Sequence, residues 1–456
     1  RRAGRAVAPH RIASIGFATA PPAPAATHPK VSRELTDRTF RVLSALVFLV
    51  LAVATTGCMG SLGSEPATPQ TLGPRAVGVT TMRVEDDSRD RELTVEVWYP
   101  AAQRSTSSPV VYSVAAMGTT VARLRSIAGA HRDAAPWRDD GPRPVVLLSH
   151  GAGSSRFANS SLAEVLASHG YIVAAPDHEG HTMSNHVWGI DDAERAQSAF
   201  DRPIDLSRVL DALETRSQGK SFVLKGLVDA SHVAVAGHSF GGAAALGMVG
   251  AQFDIERQRK ECEETPADRR CAMLPVFGKG DYRYRDARIR AALLITPAGF
   301  DLYRADGIAK VEVPALVVGA VGDETTPHRE YSQPIYESLT APHYMLELGE
   351  AGHLTATDVC AIVDSVGFMA KLNGDPRATD GCGERFIPSA DALERVSGAA
   401  LPFLALHLLG QTAARSDLEV ALLPPAERIR VASTRSKTRV ASVSADKRLG
   451  PSVAGN

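Results

Sequence analysis

Ala234-Val-Ala-Gly-His-Ser-Phe-Gly-Gly242 places a G-x-S-x-G pattern between two apolar segments. Residues 233–236 predict a buried strand before the pattern, and residues 243–249 predict a helix after it. This is the context of a nucleophile elbow, in which glycines leave room for a strained serine backbone. The positive end of the helix favours an oxyanion developing beside Ser239. The pattern predicts Ser239 as a nucleophile; a Gly-rich turn without a catalytic role is the alternative.

The overall composition is globular, because 44% of the 456 residues are hydrophobic and the formal net charge is −1. This length suits one large catalytic domain with terminal extensions, or two domains. The nearly balanced charge gives no indication of a nucleic-acid partner. Residues 424–456 form a basic tail that we expect to be disordered, and a nucleic-acid role for the tail is not favoured.

The N-terminal part of the chain resembles an export signal. Residues 1–30 are rich in Arg, Ala and Pro, and we expect them to be disordered or to reflect a misplaced gene start. Residues 31–58 resemble a signal peptide, since a basic segment precedes an apolar run at 42–54 that is short for a membrane span. The run leads through Thr-Thr-Gly to Cys58, a bacterial lipobox-like ending, so we expect Cys58 to be lipidated. Ordinary cleavage and an uncleaved anchor are the alternatives; residues 59–76 would be a linker.

The other cysteines fall into two close pairs. Four cysteines allow three pairings, and we expect the local one, Cys262 with Cys271 and Cys360 with Cys382. Four free, buried thiols would be usual in a cytosolic protein. The export signal favours the disulfides.

Apolar runs alternate with helical patterns through residues 77–412, the expected catalytic domain. The predicted strands are 92–99, 144–149, 171–175, 233–236, 289–295, 315–319 and 344–348, and the predicted helices are 162–169, 204–213, 243–249, 359–372 and 401–409. This alternation indicates an α/β fold with a mostly parallel sheet and helices on both faces. Residues 112–135 have helical stretches but no clear period, and residues 252–285 are a charged insertion expected over or beside the site.

A serine nucleophile needs a histidine base, which a carboxylate orients. In the fold predicted here, the acid and then the histidine follow the serine along the chain. Asp323 and His353 each follow an apolar strand, so both are expected at the same sheet edge as Ser239. Glu324 is the substitute acid. A turn aspartate and a surface histidine are the alternatives for these two residues.

Other histidines fit the role of the base less well. His328 is too close in sequence to Asp323, and His343 begins a strand at the wrong end. His178, His181 and His186 precede the nucleophile and are spaced like metal ligands, but no cysteine or H-E-x-x-H pattern joins them. We therefore expect no metal and no cofactor.

An oxyanion needs two N–H donors. One is expected from Phe240, the residue after the nucleophile. The second is expected from Ala152, because two glycines let the loop His150-Gly-Ala-Gly153 turn its amides inward. His150 precedes the nucleophile and is expected to be structural.

Six segments together resemble a known family. They are Val77-Gly-Val79, Ser88-Arg-Asp-Arg-Glu-Leu-Thr-Val-Glu-Val-Trp-Tyr-Pro-Ala101, Ser149-His-Gly-Ala-Gly-Ser-Ser-Arg156, Arg202-Pro-Ile-Asp205, Gly237-His-Ser-Phe-Gly-Gly242 and Ala351-Gly-His-Leu-Thr-Ala-Thr-Asp-Val-Cys360. Residues 77 to about 410 resemble the α/β-hydrolase superfamily, and within it the bacterial esterases similar to platelet-activating-factor acetylhydrolase and dienelactone hydrolase. The resemblance implies Ser239 as nucleophile, His353 as base, and Ala152 and Phe240 as oxyanion donors, with Arg202 and Asp205 structural.

The chain departs from these relatives in two ways. The animal acetylhydrolases take their acid from the preceding strand, which here ends in Thr296-Pro-Ala298 without a carboxylate, so Asp323 is the better candidate. Dienelactone hydrolases use a cysteine nucleophile, where this chain has Ser239. Residues 319–353 also resemble bacterial cutinases and polyester hydrolases.

These observations predict an exported, membrane-anchored serine carboxylic-ester hydrolase. Its expected substrates are short-acyl esters or acetylated, phospholipid-like esters. A cutinase-like lipid or polyester hydrolase is one alternative, and a catalytically silent binding lipoprotein is another. The pattern gives no indication of the oligomeric state.

Overall fold

The computed structural model describes residues 72–103, 108–116, 118–188, 192–266, 271, 274, 284–366 and 376–424. The predicted signal segment with Cys58, most of the predicted linker and the basic tail lie outside the described residues. Within the part of the chain that is described, no helix is both long enough and apolar enough to cross a membrane.

The strands follow the apolar runs of the sequence. They are β1 (Ala76–Asp86), β2 (Arg91–Ala101), β3 (Val111–Ala116), β4 (Thr119–Arg125), β5 (His131–Arg132), β6 (Arg143–Ser149), β7 (Ile172–Pro176), β8 (Val228–His238), β9 (Ile289–Ile295), β10 (Ala315–Ala320) and β11 (His343–Leu348). All but β3 and β4 form one nine-stranded sheet in the order β11-β10-β9-β8-β6-β7-β2-β1-β5.

The helices lie between these strands and after them. They are α1 (Ser160–Ser168), α2 (Met183–Trp188), α3 (Asp192–Gln218), α4 (Phe240–Met248), α5 (Ile255–Glu264), α6 (Phe300–Ile308), α7 (Ser332–Ser338), α8 (Val359–Val366), α9 (Ser389–His407) and α10 (Arg415–Leu422). Short 3₁₀ helices occupy Pro376–Thr379 and Thr412–Ala414.

Within the nine-stranded sheet, strands β7, β6, β8, β9, β10 and β11 run parallel to one another, whereas β2 is antiparallel to both of its neighbours, β1 and β7. The mostly parallel sheet confirms the predicted α/β-hydrolase fold. Parallel strands of this kind bring their carboxyl ends to one edge, where loops can assemble a site.

Both faces of the central strands are buried, which explains their apolar runs. Alternate residues of a strand point to opposite faces. In β6, Val146 and Leu148 join the core beneath α1 and α9, whereas Val145 and Leu147 join the core beneath α3 and α4. A strand covered on both sides therefore has no polar position to interrupt it.

Three predictions from the sequence are wrong: the helical stretches in residues 112–135 and the extents of α9 and α3. The expected helical stretches are the hairpin β3–β4, whose strands pair only with each other. Helix α9 begins at Ser389, well before the predicted start at 401. Likewise, α3 is much longer than the predicted 204–213, and it continues through Pro203.

Both expected disulfides are formed in the structure, Cys262–Cys271 and Cys360–Cys382. The first belongs to the predicted insertion, of which α5 is described. Helix α5 packs against α6, since Arg257 pairs with Asp306 at 2.9 Å. Residues 267–270, 272–273 and 275–283 of the insertion lie outside the described residues, so its place relative to the site stays a prediction.

Candidate active site

The turn between β8 and α4 holds Ser239 in a strained conformation. Its φ is 55° and its ψ is −119°, a region that residues other than glycine rarely occupy. The serine N–H donates to Ile295 O at 3.0 Å, and the serine carbonyl accepts from Ala298 N at 2.9 Å. Because β9 and the loop after it fix both peptide groups, the surroundings hold Ser239 in this strained geometry.

The two glycines of the elbow are required by close packing. A Cβ on Gly237 would lie 2.0 Å from the carbonyl oxygen of Gly241, and a Cβ on Gly241 would lie 2.1 Å from that of Ser149. Any side chain at either position would collide with backbone. The G-x-S-x-G pattern thus reflects how tightly α4 turns back against β8 and β6.

Asp323 and His353 meet at the same sheet edge, in the loops that follow β10 and β11. His353 Nδ1 donates to Asp323 Oδ2 at 2.9 Å, and both side chains are buried. The other carboxylate oxygen accepts from the N–H groups of Thr325 at 2.9 Å and Thr326 at 2.7 Å. This pairing leaves the Nε2 atom of the imidazole free to act as the base.

Two residues that the sequence did not indicate support this pair. Thr326 Oγ1 donates to Asp323 Oδ2 at 2.9 Å and lies 3.1 Å from His353 Nδ1. Asp380, which is 2% exposed, accepts from the N–H of Glu324 and of Thr325, at 2.9 Å each. Thr326 offers only its polarity, a few residues after β10, as a sequence signal. Asp380 lies far along the chain from any strand.

His238 lies between the elbow and the base. Its ring centroid is 4.8 Å from that of His353, and its Nε2 donates to His353 O at 3.0 Å. Burial, with a further contribution from the charge of His353, lowers the pKa of His238 to about 3. His238 is therefore neutral at neutral pH and acts as a fixed donor to the backbone of His353.

In this structure the Ser239 hydroxyl makes no hydrogen bond with the His353 imidazole. Such contacts are often long in the absence of substrate and shorten in the Michaelis complex. The elbow, Asp323 and His353 share one edge of the sheet.

The loop after β6 lies beside the nucleophile. A Cβ on Gly151 would be 3.4 Å from Ser239 Cβ and 3.0 Å from His238 Nδ1. Among the described residues, the N–H groups of Ala152 and Phe240 donate to no protein acceptor. Unsatisfied N–H donors beside a nucleophile can stabilise an oxyanion.

Arg202, from α3, is fully buried behind this loop. Its Nη1 donates to His150 O, its Nη2 donates to Gly151 O at 3.3 Å, and its Nε donates to His181 Nδ1 at 3.1 Å. Its guanidinium carbon is also 5.3 Å from the centre of the Phe240 ring. Burial lowers the pKa of Arg202 to about 9, an effect that the charge of Asp205 partly offsets, so the group stays cationic at neutral pH.

A second buried polar group underlies the same loop. Asp205 accepts from Arg91 Nη2 at 2.8 Å and from His178 Nδ1 at 3.0 Å. His178 Nε2 in turn is 2.9 Å from Ser149 Oγ, and its N–H donates to His150 Nε2 at 3.1 Å. Burial and the nearby arginine charges lower the pKa of His178 well below its usual value, which leaves the ring neutral.

The alternatives for acid, base and metal site are placed elsewhere. Glu324 is exposed and pairs with Arg385 at 3.0 Å. His328 pairs with Glu347 at 2.9 Å, and His343 bonds to Ala341 O. Among the described residues, no group of three His, Cys, Asp or Glu side chains is arranged to hold a metal ion.

Comparison with known proteins shows what this chain is similar to. The family model for platelet-activating factor acetylhydrolase, isoform II, matches residues 61–216, which end before Ser239. The ferulic acid esterase structure from Streptomyces cinnamoneus superimposes with a TM-score of 0.51 at 27% identity, covering 76% of this chain and 93% of that one. The chain has the α/β-hydrolase fold and is similar to an acetylhydrolase family and to a ferulic acid esterase.

Two sequence relatives of this α/β hydrolase are ester hydrolases by name. Platelet-activating factor acetylhydrolase of Cavia porcellus is 26% identical over 240 residues, covering 42% of this chain and 53% of the relative. Cutinase est1 of Thermobifida alba is 24% identical over 219 residues, covering 47% of this chain and 55% of the relative. The chain thus spans about half the length of these relatives.

Proposed function

We propose that this protein hydrolyses carboxylic esters through an acyl-serine intermediate. Ser239 Oγ attacks the ester carbonyl carbon while His353 Nε2 takes its proton, and Asp323 stabilises the resulting imidazolium. The N–H groups of Ala152 and Phe240 bind the oxyanion of the tetrahedral intermediate. The intermediate expels the alcohol, which receives the proton from His353. Water then attacks the acyl-serine by the same steps, releasing the acid and restoring Ser239.

The proposal depends above all on the buried Asp323–His353 hydrogen bond at the sheet edge that also carries the strained Ser239. A carboxylate on Nδ1 sets the tautomer in which Nε2 can accept a proton. The names of the relatives support ester hydrolysis over other hydrolytic chemistry.

The test is hydrolysis of nitrophenyl acetate, butyrate and octanoate by protein lacking residues 1–58, with Ser239→Ala as its matched control. We expect wild type to turn over the short esters and the alanine variant to lose activity by about 10⁴-fold or more. A fluorophosphonate should label wild type with one adduct, located at Ser239. If the folded wild type neither hydrolyses any of these esters nor takes the label, the proposal is wrong and a binding lipoprotein becomes the better explanation.

For the natural substrate we propose short-acyl esters or acetylated, phospholipid-like esters. The acetylhydrolase family model over residues 61–216 supports this choice. The similarity to a cutinase favours a second candidate, a lipid or polyester hydrolase. The same ester series separates the two: acetate should be hydrolysed fastest by the first, whereas preference for octanoate and release of monomers from a polyester film would favour the second.

We further propose that the protein is exported and anchored to a membrane through a lipid on Cys58. The apolar run at 42–54 supports export, as do two disulfides, which persist in oxidising compartments. Expression of the full chain in a bacterium, with and without Cys58→Ser, tests this. The wild type should incorporate labelled palmitate and fractionate with membranes. Equal fractionation of both proteins without labelling would contradict lipidation.

A further inference from the structure

The feature that the proposed mechanism leaves unexplained is the charge of Arg202. A guanidinium is costly to bury, and it usually meets a carboxylate when it is buried. Among the described residues, no carboxylate oxygen lies within salt-bridge distance of Arg202. Asp205 acts on it only through space and is itself held by Arg91 and His178.

Arg202 instead uses its hydrogen bonds on the backbone of the oxyanion loop. It donates to two successive carbonyl oxygens, those of His150 and Gly151. The Gly151 carbonyl belongs to the same peptide unit as the Ala152 N–H, and in a planar trans peptide these two groups point in opposite directions. Fixing the carbonyl oxygen on one side therefore fixes the direction of the donor N–H on the other. The rigid fork of a guanidinium suits this bidentate task better than an ammonium does.

The same side chain also contacts the opposite wall of the site. Its guanidinium lies 5.3 Å from the centre of the Phe240 ring, and the His181 ring packs edge-on against that ring at 5.0 Å. His181 accepts from Arg202 Nε and, through its carbonyl oxygen, from Gly153 N at 3.0 Å. Arg202 and His181 thus contact both segments that supply the oxyanion donors, the loop with Ala152 and the elbow with Phe240.

We propose that Arg202 is a positioning residue for the oxyanion hole, which orients the Ala152 N–H and places a buried positive charge behind the developing oxyanion. This inference rests on the proposed ester hydrolysis. This role differs from a purely structural one, because Arg202 would stabilise the tetrahedral intermediate of the reaction rather than only the folded protein.

The test compares Arg202→Lys and Arg202→Met with Arg143→Lys. Arg143 is a matched control, since it is a mostly buried guanidinium that pairs with Asp140 at 3.1 Å and lies at the start of β6, at the opposite end of the strand from the oxyanion loop. Each protein is labelled to completion with fluorophosphonate, so that kcat is expressed per reactive serine. The inhibition constant is measured for an alkyl trifluoromethyl ketone and for the matching methyl ketone. Ser239 adds to the carbonyl carbon of the trifluoromethyl ketone, which gives a bound oxyanion.

We expect kcat to fall about ten- to a hundredfold in Arg202→Lys and further in Arg202→Met, with KM changed less than about threefold. The trifluoromethyl ketone should bind more weakly by the same factor as the loss of kcat/KM, while the methyl ketone is little affected. Arg143→Lys should lower the melting temperature but keep kcat per labelled serine within about twofold.

An unchanged kcat per labelled serine in both Arg202 variants, or an unchanged trifluoromethyl ketone affinity, would overturn the inference. If neither variant folds, His181→Leu decides, because it removes the acceptor of Arg202 Nε but keeps the charge. It should lower kcat and trifluoromethyl ketone affinity in proportion, and no change in either would overturn the inference. A wild type without turnover or labelling would instead refute the proposed function and the inference with it.

Discussion

Asp380→Asn should reduce both the stability and the activity of this protein. Asp380 Oδ2 accepts from Glu324 N, Thr325 N and Thr325 Oγ1, at 2.9, 2.9 and 2.8 Å. The other carboxylate oxygen, Oδ1, is 3.4 Å from the N–H of His353. One buried carboxylate therefore connects the turn that follows Asp323 to the backbone of the base.

The expected magnitude follows from these contacts. A hydrogen bond to a charged group contributes about 1.5–3 kcal/mol, against about 0.5–1.5 kcal/mol for a neutral one, so the loss is about 1 kcal/mol per bond. With three donors on Oδ2, the free energy of unfolding should fall by about 3 kcal/mol in Asp380→Asn. The asparagine can still turn its carbonyl oxygen to these donors, but its NH₂ then faces the His353 N–H, donor against donor. We expect the resulting shift of the acid–base pair to lower kcat by about ten- to a hundredfold, since a misplacement near 1 Å can cost about 10²-fold.

The assay combines urea unfolding with kcat per fluorophosphonate-labelled serine. Asp364→Asn is the control, because it makes the same chemical change at an exposed position of α8, the helix that also carries Cys360 of the Cys360–Cys382 disulfide. It should change neither quantity. If Asp380→Asn is destabilised as expected but retains wild-type kcat per labelled serine, Asp380 supports the fold alone and the reasoning fails. If its unfolding free energy is unchanged, the energies assigned to these hydrogen bonds are wrong.

Three further outcomes can be measured. Asp323→Asn should lower kcat by about 10⁴-fold through the wrong imidazole tautomer; a loss below about tenfold would mean that Glu324 substitutes as the acid. Burial raises the pKa of Glu164 from 4.5 to about 7, so the native state holds a proton that the unfolded chain releases between these values. Stability should therefore fall by up to about 3 kcal/mol as pH rises through that interval, and Glu164→Gln should flatten this slope in urea titrations; parallel slopes would contradict it. Replacing both Cys360 and Cys382 with serine should lower the free energy of unfolding by about 3 kcal/mol. It should also lower kcat, since the bridge closes the segment that carries Asp380; an unchanged kcat would show that the bridge contributes to stability alone.

The parts of the fold that the sequence predicts are those where burial leaves a pattern. Strands β6 and β10, and the carboxyl-terminal parts of β8 and β9, are covered on both faces, so their apolar runs are uninterrupted and visible. Strand β1 was missed because glycine and threonines break its run, and its stability comes from pairing along its whole length with β2. The hairpin β3–β4 was missed because its two strands pair only with each other, outside the main sheet.

The same limit applies to the site. Ser239, Asp323 and His353 could be predicted because chain order and strand ends fix where their backbones arrive. Thr326 and Asp380 could not, because their partners are backbone N–H groups and side chains brought together only by folding. A sequence pattern records which side chains are present, but it does not record which peptide groups lack a partner after the strands have assembled.

The two buried charges that fix these peptide groups have opposite signs, and their placement matches the reaction. Arg202 is a cation that binds carbonyl oxygens behind the oxyanion loop, and Asp380 is an anion that binds N–H groups behind the acid–base pair. In the tetrahedral state, negative charge develops on the substrate oxygen and positive charge on the His353 imidazole. Each buried charge therefore lies next to developing charge of the opposite sign, and so stabilises it. Both buried charges are in place before any substrate binds. Preorganised charges of this kind need no rearrangement at the moment of reaction, and they act most strongly where water is excluded.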